Sequence, residues 1–211
     1  MSPHKKAPVW HLYMVSFIEG GALMAVELIG AKLITPFYGN SIYVWASVLG
    51  FTLGGLVIGY FVGGRFSARS PSRATLYKIV IASGILVALL PLVAPLILAM
   101  TSGMEFRLAI LLSAMLILLP SIILFGMVSP MVIRLLTQRL EEVGRSAGTI
   151  YGVSTLGGIL LNFTMGLLLI PFLGLRFSAL LTSALLIGLP LIFLLTGRGN
   201  ASVPDPQSKK A

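Results

Sequence analysis

Six apolar stretches, each long enough to cross a lipid bilayer as a helix, leave little of this chain for anything else. They run from about Leu12 to Ile34, Ile42 to Gly64, Tyr77 to Met100, Leu108 to Leu136, Ala147 to Phe172 and Phe177 to Thr196. A hydrocarbon core of about 30 Å needs roughly 20 helical residues at about 1.5 Å each. The runs are continuously apolar and do not alternate, which argues against a β-barrel with its period of two. Composition agrees: 57% of the 211 residues are hydrophobic and 10% are charged, against about 25% charged in soluble domains. So little polar surface cannot enclose a water-soluble globule. The sequence therefore predicts an all-α fold, a polytopic membrane bundle of six transmembrane helices over residues 1–197. The Pro- and Ser-rich stretch 198–211 reads as a disordered tail.

The net charge of +9 follows the membrane topology and does not point to nucleic acid. Twelve basic residues fall on one side of the predicted spans. They are Lys5 and Lys6, then Arg65, Arg69, Arg73 and Lys78, then Arg134, Arg139 and Arg145, and finally Arg198, Lys209 and Lys210. Two, Arg107 and Arg176, fall on the other. By the positive-inside rule both termini are expected in the cytoplasm, with the bundle in a prokaryotic inner (plasma) membrane and lipids around it. The first run carries two glutamates and no early small-residue cleavage motif, so it reads as a span and not as a signal peptide. The chain has no cysteine, which removes disulfide and thiolate chemistry.

Ionisable groups inside a span cost at least about 2.5–3.5 kcal/mol near its centre, so they are functional candidates by default. The first run holds Glu19, Glu27 and Lys32. The two glutamates lie eight residues apart, about 12 Å along nearly one helix face. Glu27 is nearest the middle and is the candidate to bind a cation or proton; the alternative is that it fixes packing, with Lys32 as its counter-charge. Asn162 in the fifth run and Trp45 near the start of the second complete the candidate binding set. Gly55, Gly59 and Gly63, with Gly148, Gly152 and Gly157, read as faces for close helix packing. Pro91, Pro95, Pro120, Pro130 and Pro190 permit kinks. The sequence offers two histidines and one aspartate, Asp205, and no metal-ligand, phosphate-loop or triad spacing. No metal, cofactor or enzymatic activity is expected.

A longer pattern carries a family resemblance. The run Glu27-Leu-Ile-Gly-Ala-Lys32-Leu-Ile-Thr-Pro36-Phe-Tyr-Gly39-Asn-Ser41-Ile-Tyr43-Val-Trp45 is followed by Gly59-Tyr60-Phe-Val-Gly63-Gly64-Arg65. A second block comprises Gly126-Met-Val-Ser129-Pro130, Val143-Gly-Arg145-Ser-Ala-Gly148-Thr-Ile-Tyr151-Gly-Val-Ser154-Thr155-Leu-Gly157 and Ile170-Pro171-Phe-Leu-Gly174-Leu-Arg176. Together they resemble the membrane region of the transmembrane spermidine-synthase-like proteins, also described as fused major-facilitator/spermidine-synthase proteins. The resemblance implies half of a major-facilitator fold and a link to polyamine chemistry. Lys32 stands where that family commonly has Arg, Ala68 near its acidic position, and Leu161-Asn162-Phe163 in place of its Gly-Thr-Phe. No Gly-rich strand-turn-helix for a synthase domain is present in this sequence, so the resemblance carries no aminopropyltransferase activity to it. It leaves a separately encoded synthase-like protein as an implied partner.

Two functions follow as expectations. One is a carrier or binder of a small organic cation such as a polyamine, with Glu27 and Glu19 as its carboxylates, completed by a homodimer or another subunit. The other is a non-catalytic membrane subunit or scaffold of a larger complex, which the glycine faces and small size favour. Lipid or quinone binding between helices is a third and weaker reading.

Overall fold

A computed structural model describes residues 9–69, 72–137 and 142–196; the expected tail at 198–211 lies outside them. The described residues are helical, without strands. Helix α1 spans Trp10–Tyr38, α2 Ile42–Arg69, α3 Arg73–Thr101 and α4 Phe106–Leu136. Helix α5 spans Val143–Thr164, and a π-helical turn at Met165–Leu169 leads into α6, Ile170–Leu195. Five helical stretches are long and apolar enough to cross a membrane, the last being Val143–Leu195. Helical structure thus continues through the gap expected between the fifth and sixth runs. It is interrupted inside α6 at Gly174, whose φ of 79° and ψ of 168° belong to no helix.

Local sequence explains the ends. Gly39 closes α1 with φ 74°, and its N–H donates to the Thr35 carbonyl at 2.8 Å. The Ser41 hydroxyl accepts from the Val44 N–H at the start of α2, at 3.4 Å. Glu105 caps α4, its carboxylate accepting from the N–H groups of Arg107 and Leu108 at 3.0 Å each. Each device satisfies backbone groups that a helix end leaves without partners.

Close contacts fix the helix directions. Gly55, Gly59 and Gly63 of α2 meet Ile122, Gly126 and Met127 of α4 in the same order, so these helices are parallel. Gly20 and Gly21 meet Ser154 and Leu161, with Leu28 beyond them near Gly166, so α1 and α5 are parallel too. The pairs His11–Tyr77 and Tyr38–Thr101 make α1 and α3 parallel. Helix α6 opposes α3, since Phe193 sits near Tyr77 while Leu186 meets Gly84. The chain therefore reverses within α6, at Gly174.

The most extensive pairings are α2 with α4, α1 with α5, and α3 with α6. That set maps onto itself when α1, α2 and α3 are exchanged for α4, α5 and α6. Buried apolar side chains come mainly from α1, α3 and α4, among them Val26, Ile29, Val87, Leu118 and Phe125. Helix α5 buries only Ile150, Gly157 and Gly158, leaving most of its surface uncovered by this chain. Lipid tails give apolar helices no reason to associate, so close backbone approach at glycine carries more of the packing here than hydrophobicity does.

Candidate functional site

Glu19 and Glu27 share one face of α1, yet their surroundings differ. Glu19 is 3% exposed, and the Ser154 hydroxyl of α5 donates to its Oε2 at 3.4 Å. The burial follows from the glycines beside it. A Cβ at Gly20 would fall on the carbonyl oxygen of Ser154, and one at Gly157 on the carbonyl oxygen of Phe17. Here α1 and α5 are in backbone contact. Two turns further on they are held apart by a side chain, the Leu28 Cδ2 lying 3.6 Å from a Cβ built on Gly166. Glu27 sits at that wider level and is half-buried. Among the described residues, no hydrogen-bond donor or cation bears on its carboxyl.

The other expected binding residues are arranged around Glu27 only loosely. Asn162 follows Ser154 on α5 by the same eight residues that separate Glu27 from Glu19, so the two lie at one level on parallel helices. Asn162 is exposed and makes no bond to Glu27. Lys32 is exposed as well, and it is not the counter-ion of Glu27 within this chain. The Trp45 indole N–H donates to the Asn40 side-chain oxygen at 2.8 Å, at the α1–α2 connection. That places it about 12 Å beyond Glu27 along the helix axis, away from the carboxylate. Two apolar grooves open on the bundle surface, one around Leu90 and Pro120 and one around Phe51 and Leu119; neither includes a glutamate.

The glycine faces divide. Gly55, Gly59 and Gly63 contact α4, and Gly157 contacts α1. Gly148 and Gly152, expected on a packing face, meet nothing within 4 Å. The contacts of α5 with α1 run through Ser154, Gly157 and Gly158, and Gly152 lies about 140° around the helix from Gly157. Among the described residues they pack against no helix.

Two further clusters were not apparent from sequence. At the Gly39 end, the Tyr38 hydroxyl and Thr101 Oγ1 share a hydrogen bond of 2.8 Å, and Thr101 Oγ1 and Ser113 Oγ share another of 2.8 Å. These bonds tie α1, α3 and α4 together. The Arg107 guanidinium lies 5.3 Å from the centre of the Tyr43 ring. At the opposite end, Trp10, His11, Tyr77 and Phe193 form an aromatic cluster with ring centres 5.3–6.4 Å apart. Tyr38, Tyr77 and Phe193 are separated by too much sequence for spacing alone to pair them. No group of His, Asp and Glu among the described residues is placed to hold a metal.

No protein-family model, curated protein or solved structure matches this chain. What the geometry itself defines is an integral membrane bundle of long apolar helices, with one sealed and one accessible carboxyl on its first helix.

Proposed function

We propose that the chain crosses the membrane six times and binds a small organic cation, of the polyamine class, at the level of Glu27. The observation that carries this reading is a half-buried carboxyl in the middle of an apolar helix with no partner among the described residues. A carboxylate kept at that depth needs a compensating positive charge. A ligand ammonium group supplies one, and the resemblance to spermidine-synthase-like membrane regions favours polyamines among such ligands. The reversal at Gly174 supports the sixth span, and the self-mapping helix pairs fit half of a major-facilitator bundle, in which such repeats are common. The excess of basic residues on one side of the spans supports cytoplasmic termini, and the membrane proposed is a prokaryotic plasma membrane.

The site is open on the bundle surface, so a pathway needs a second copy or another subunit to close it. The uncovered face of α5, with Gly148 and Gly152 in open space, favours such a partner. It equally favours the second reading, a non-catalytic subunit of a membrane complex, with a separately encoded synthase-like protein among the candidates. Purified protein in liposomes tests the first reading. Spermidine binding and uptake are expected for the parent and for Trp45→Phe, and loss of both is expected for Glu27→Gln. Parent protein that neither binds nor carries an organic cation removes the carrier, and a fixed set of co-extracted polypeptides in native mass spectrometry then supports the subunit.

A further inference from the structure

Glu19 is too enclosed to share the role of Glu27. It lies nine residues into α1, Tyr60 lies nine residues before the end of α2, and Tyr151 lies eight residues into α5. All three are therefore about 13 Å from the same, basic end of the bundle. The Tyr60 phenol is within electrostatic range of both the Glu19 carboxyl and Tyr151. The glutamate is 3% exposed while Tyr60 is 39% and Tyr151 46% exposed, so the phenols are the exposed members of this group and the carboxyl the sealed one.

We propose that Glu19, with Ser154, Tyr60 and Tyr151, forms a proton site that holds α1 and α5 together when the carboxyl is protonated and loosens them when it ionises. The size of the site selects the ligand. Backbone contact at Gly20–Ser154 and Phe17–Gly157 on either side admits no organic cation. A metal ion needs several oxygen ligands, and one hydroxyl bonds this carboxyl. A proton needs neither space nor further ligands. Ionisation would place an uncompensated charge in this contact, since no Lys or Arg of α3, α4 or α6 acts on Glu19. A buried charge of that kind is relieved by drawing in water or by separating the helices. On ionisation the carboxyl O–H bond of Glu19 breaks and the proton passes to a water molecule, with no other covalent bond changed. This site does not depend on a cation at Glu27.

The cysteine-free chain allows a direct test. Spin labels on Met14→Cys of α1 and Thr149→Cys of α5, both at exposed positions, report the separation of the helices in lipid nanodiscs. The distance is expected to lengthen from acid to alkaline pH in the otherwise unaltered chain and in Glu27→Gln. In Glu19→Gln it is expected to stay at its acid value, with loss of one protonated-carboxyl infrared band. Should Glu19→Gln fail to fold, Ser154→Ala and Tyr60→Phe retain the carboxyl and are expected to displace the midpoint pH. A parent distance that ignores pH overturns the proposal. So does a transition that survives Glu19→Gln, or a midpoint unmoved in both hydroxyl variants.

Discussion

Gly39 and Gly174 adopt nearly the same backbone conformation, φ 74° and ψ 170° at one, φ 79° and ψ 168° at the other. Each follows a Pro-Phe-x triplet, Pro36-Phe37-Tyr38 and Pro171-Phe172-Leu173. Gly39 ends α1 and Gly174 interrupts α6, at the same end of the bundle. The first marks the turn into α2 and the second the reversal within Val143–Leu195. This region of backbone space is open to glycine almost alone, and other residues held there are strained by about 1–3 kcal/mol.

Gly39→Ala and Gly174→Ala are accordingly expected to lower thermal stability in detergent by that order. Gly54→Ala is the control, since Gly54 lies inside a helix with nothing within 4 Å and alanine there favours the helix by up to about 1 kcal/mol. Equal losses at all three positions would show that the turn conformation is not what these glycines supply.

The glycines of α2 differ from those of α5 in what a methyl group would meet. At Gly59 a Cβ would lie 2.7 Å from the Cα of Gly126, backbone against backbone. Neither side can yield without separating the helices. Gly59→Ala is expected to cost about 1–3 kcal/mol, and Gly152→Ala to be neutral or mildly stabilising in the isolated chain. A matching loss in Gly152→Ala, measured on protein in native membranes but not on the isolated chain, would locate a partner on the uncovered face of α5.

How much of this was legible in the sequence depended on the range of each interaction. Apolar run length marked the first four helices to within a few residues, because the bilayer imposes a length that composition must meet, whereas the fifth and sixth runs fall in one helical stretch, Val143–Leu195. The α2 stripe at Gly55, Gly59 and Gly63 was readable because one helix face is a local pattern. The same pattern at Gly148 and Gly152 meets no neighbour among the described residues, since spacing says that a face is flat and not whether this chain supplies the neighbour. Glu19 and Glu27 looked alike from their spacing along one face. What separates them is the backbone contact of α1 with α5 at Gly20 and Gly157, against the Leu28 side chain beside Gly166 two turns on, residues that meet only in three dimensions. Trp45 stood near Glu27 as a candidate, but its indole is held at Asn40 in the turn.

The hydroxyl chain Tyr38–Thr101–Ser113 joins three helices through two bonds of 2.8 Å. Interhelical bonds in membrane proteins couple by about 0.6 kcal/mol on average and up to about 1.7. A double-mutant cycle with Tyr38→Phe and Ser113→Ala is expected to give a coupling within that range, because both bonds share the Thr101 hydroxyl. Strictly additive losses would mean that the two bonds act separately and that Thr101 does not connect them.

Glu105 gives a pH dependence whose sign can be worked out in advance. Its carboxylate lies outside the helices and accepts from the backbone N–H groups of Leu108 and Arg107, which hold its pKa below the usual carboxylate value of 4.5. The side chain is solvent-exposed, so the effect is local to the start of α4. Because the folded-state pKa is lowered, the cap is fully formed above the unfolded value and is lost as pH falls through the folded one. Amide exchange at Arg107 and Leu108, corrected for its intrinsic pH dependence, is expected to show protection at neutral pH that declines as pH falls below the usual carboxylate range. Glu105→Ala is expected to lack both the neutral-pH protection and the decline. Protection in that variant that still falls with acid would assign the titration to another group near the end of α4.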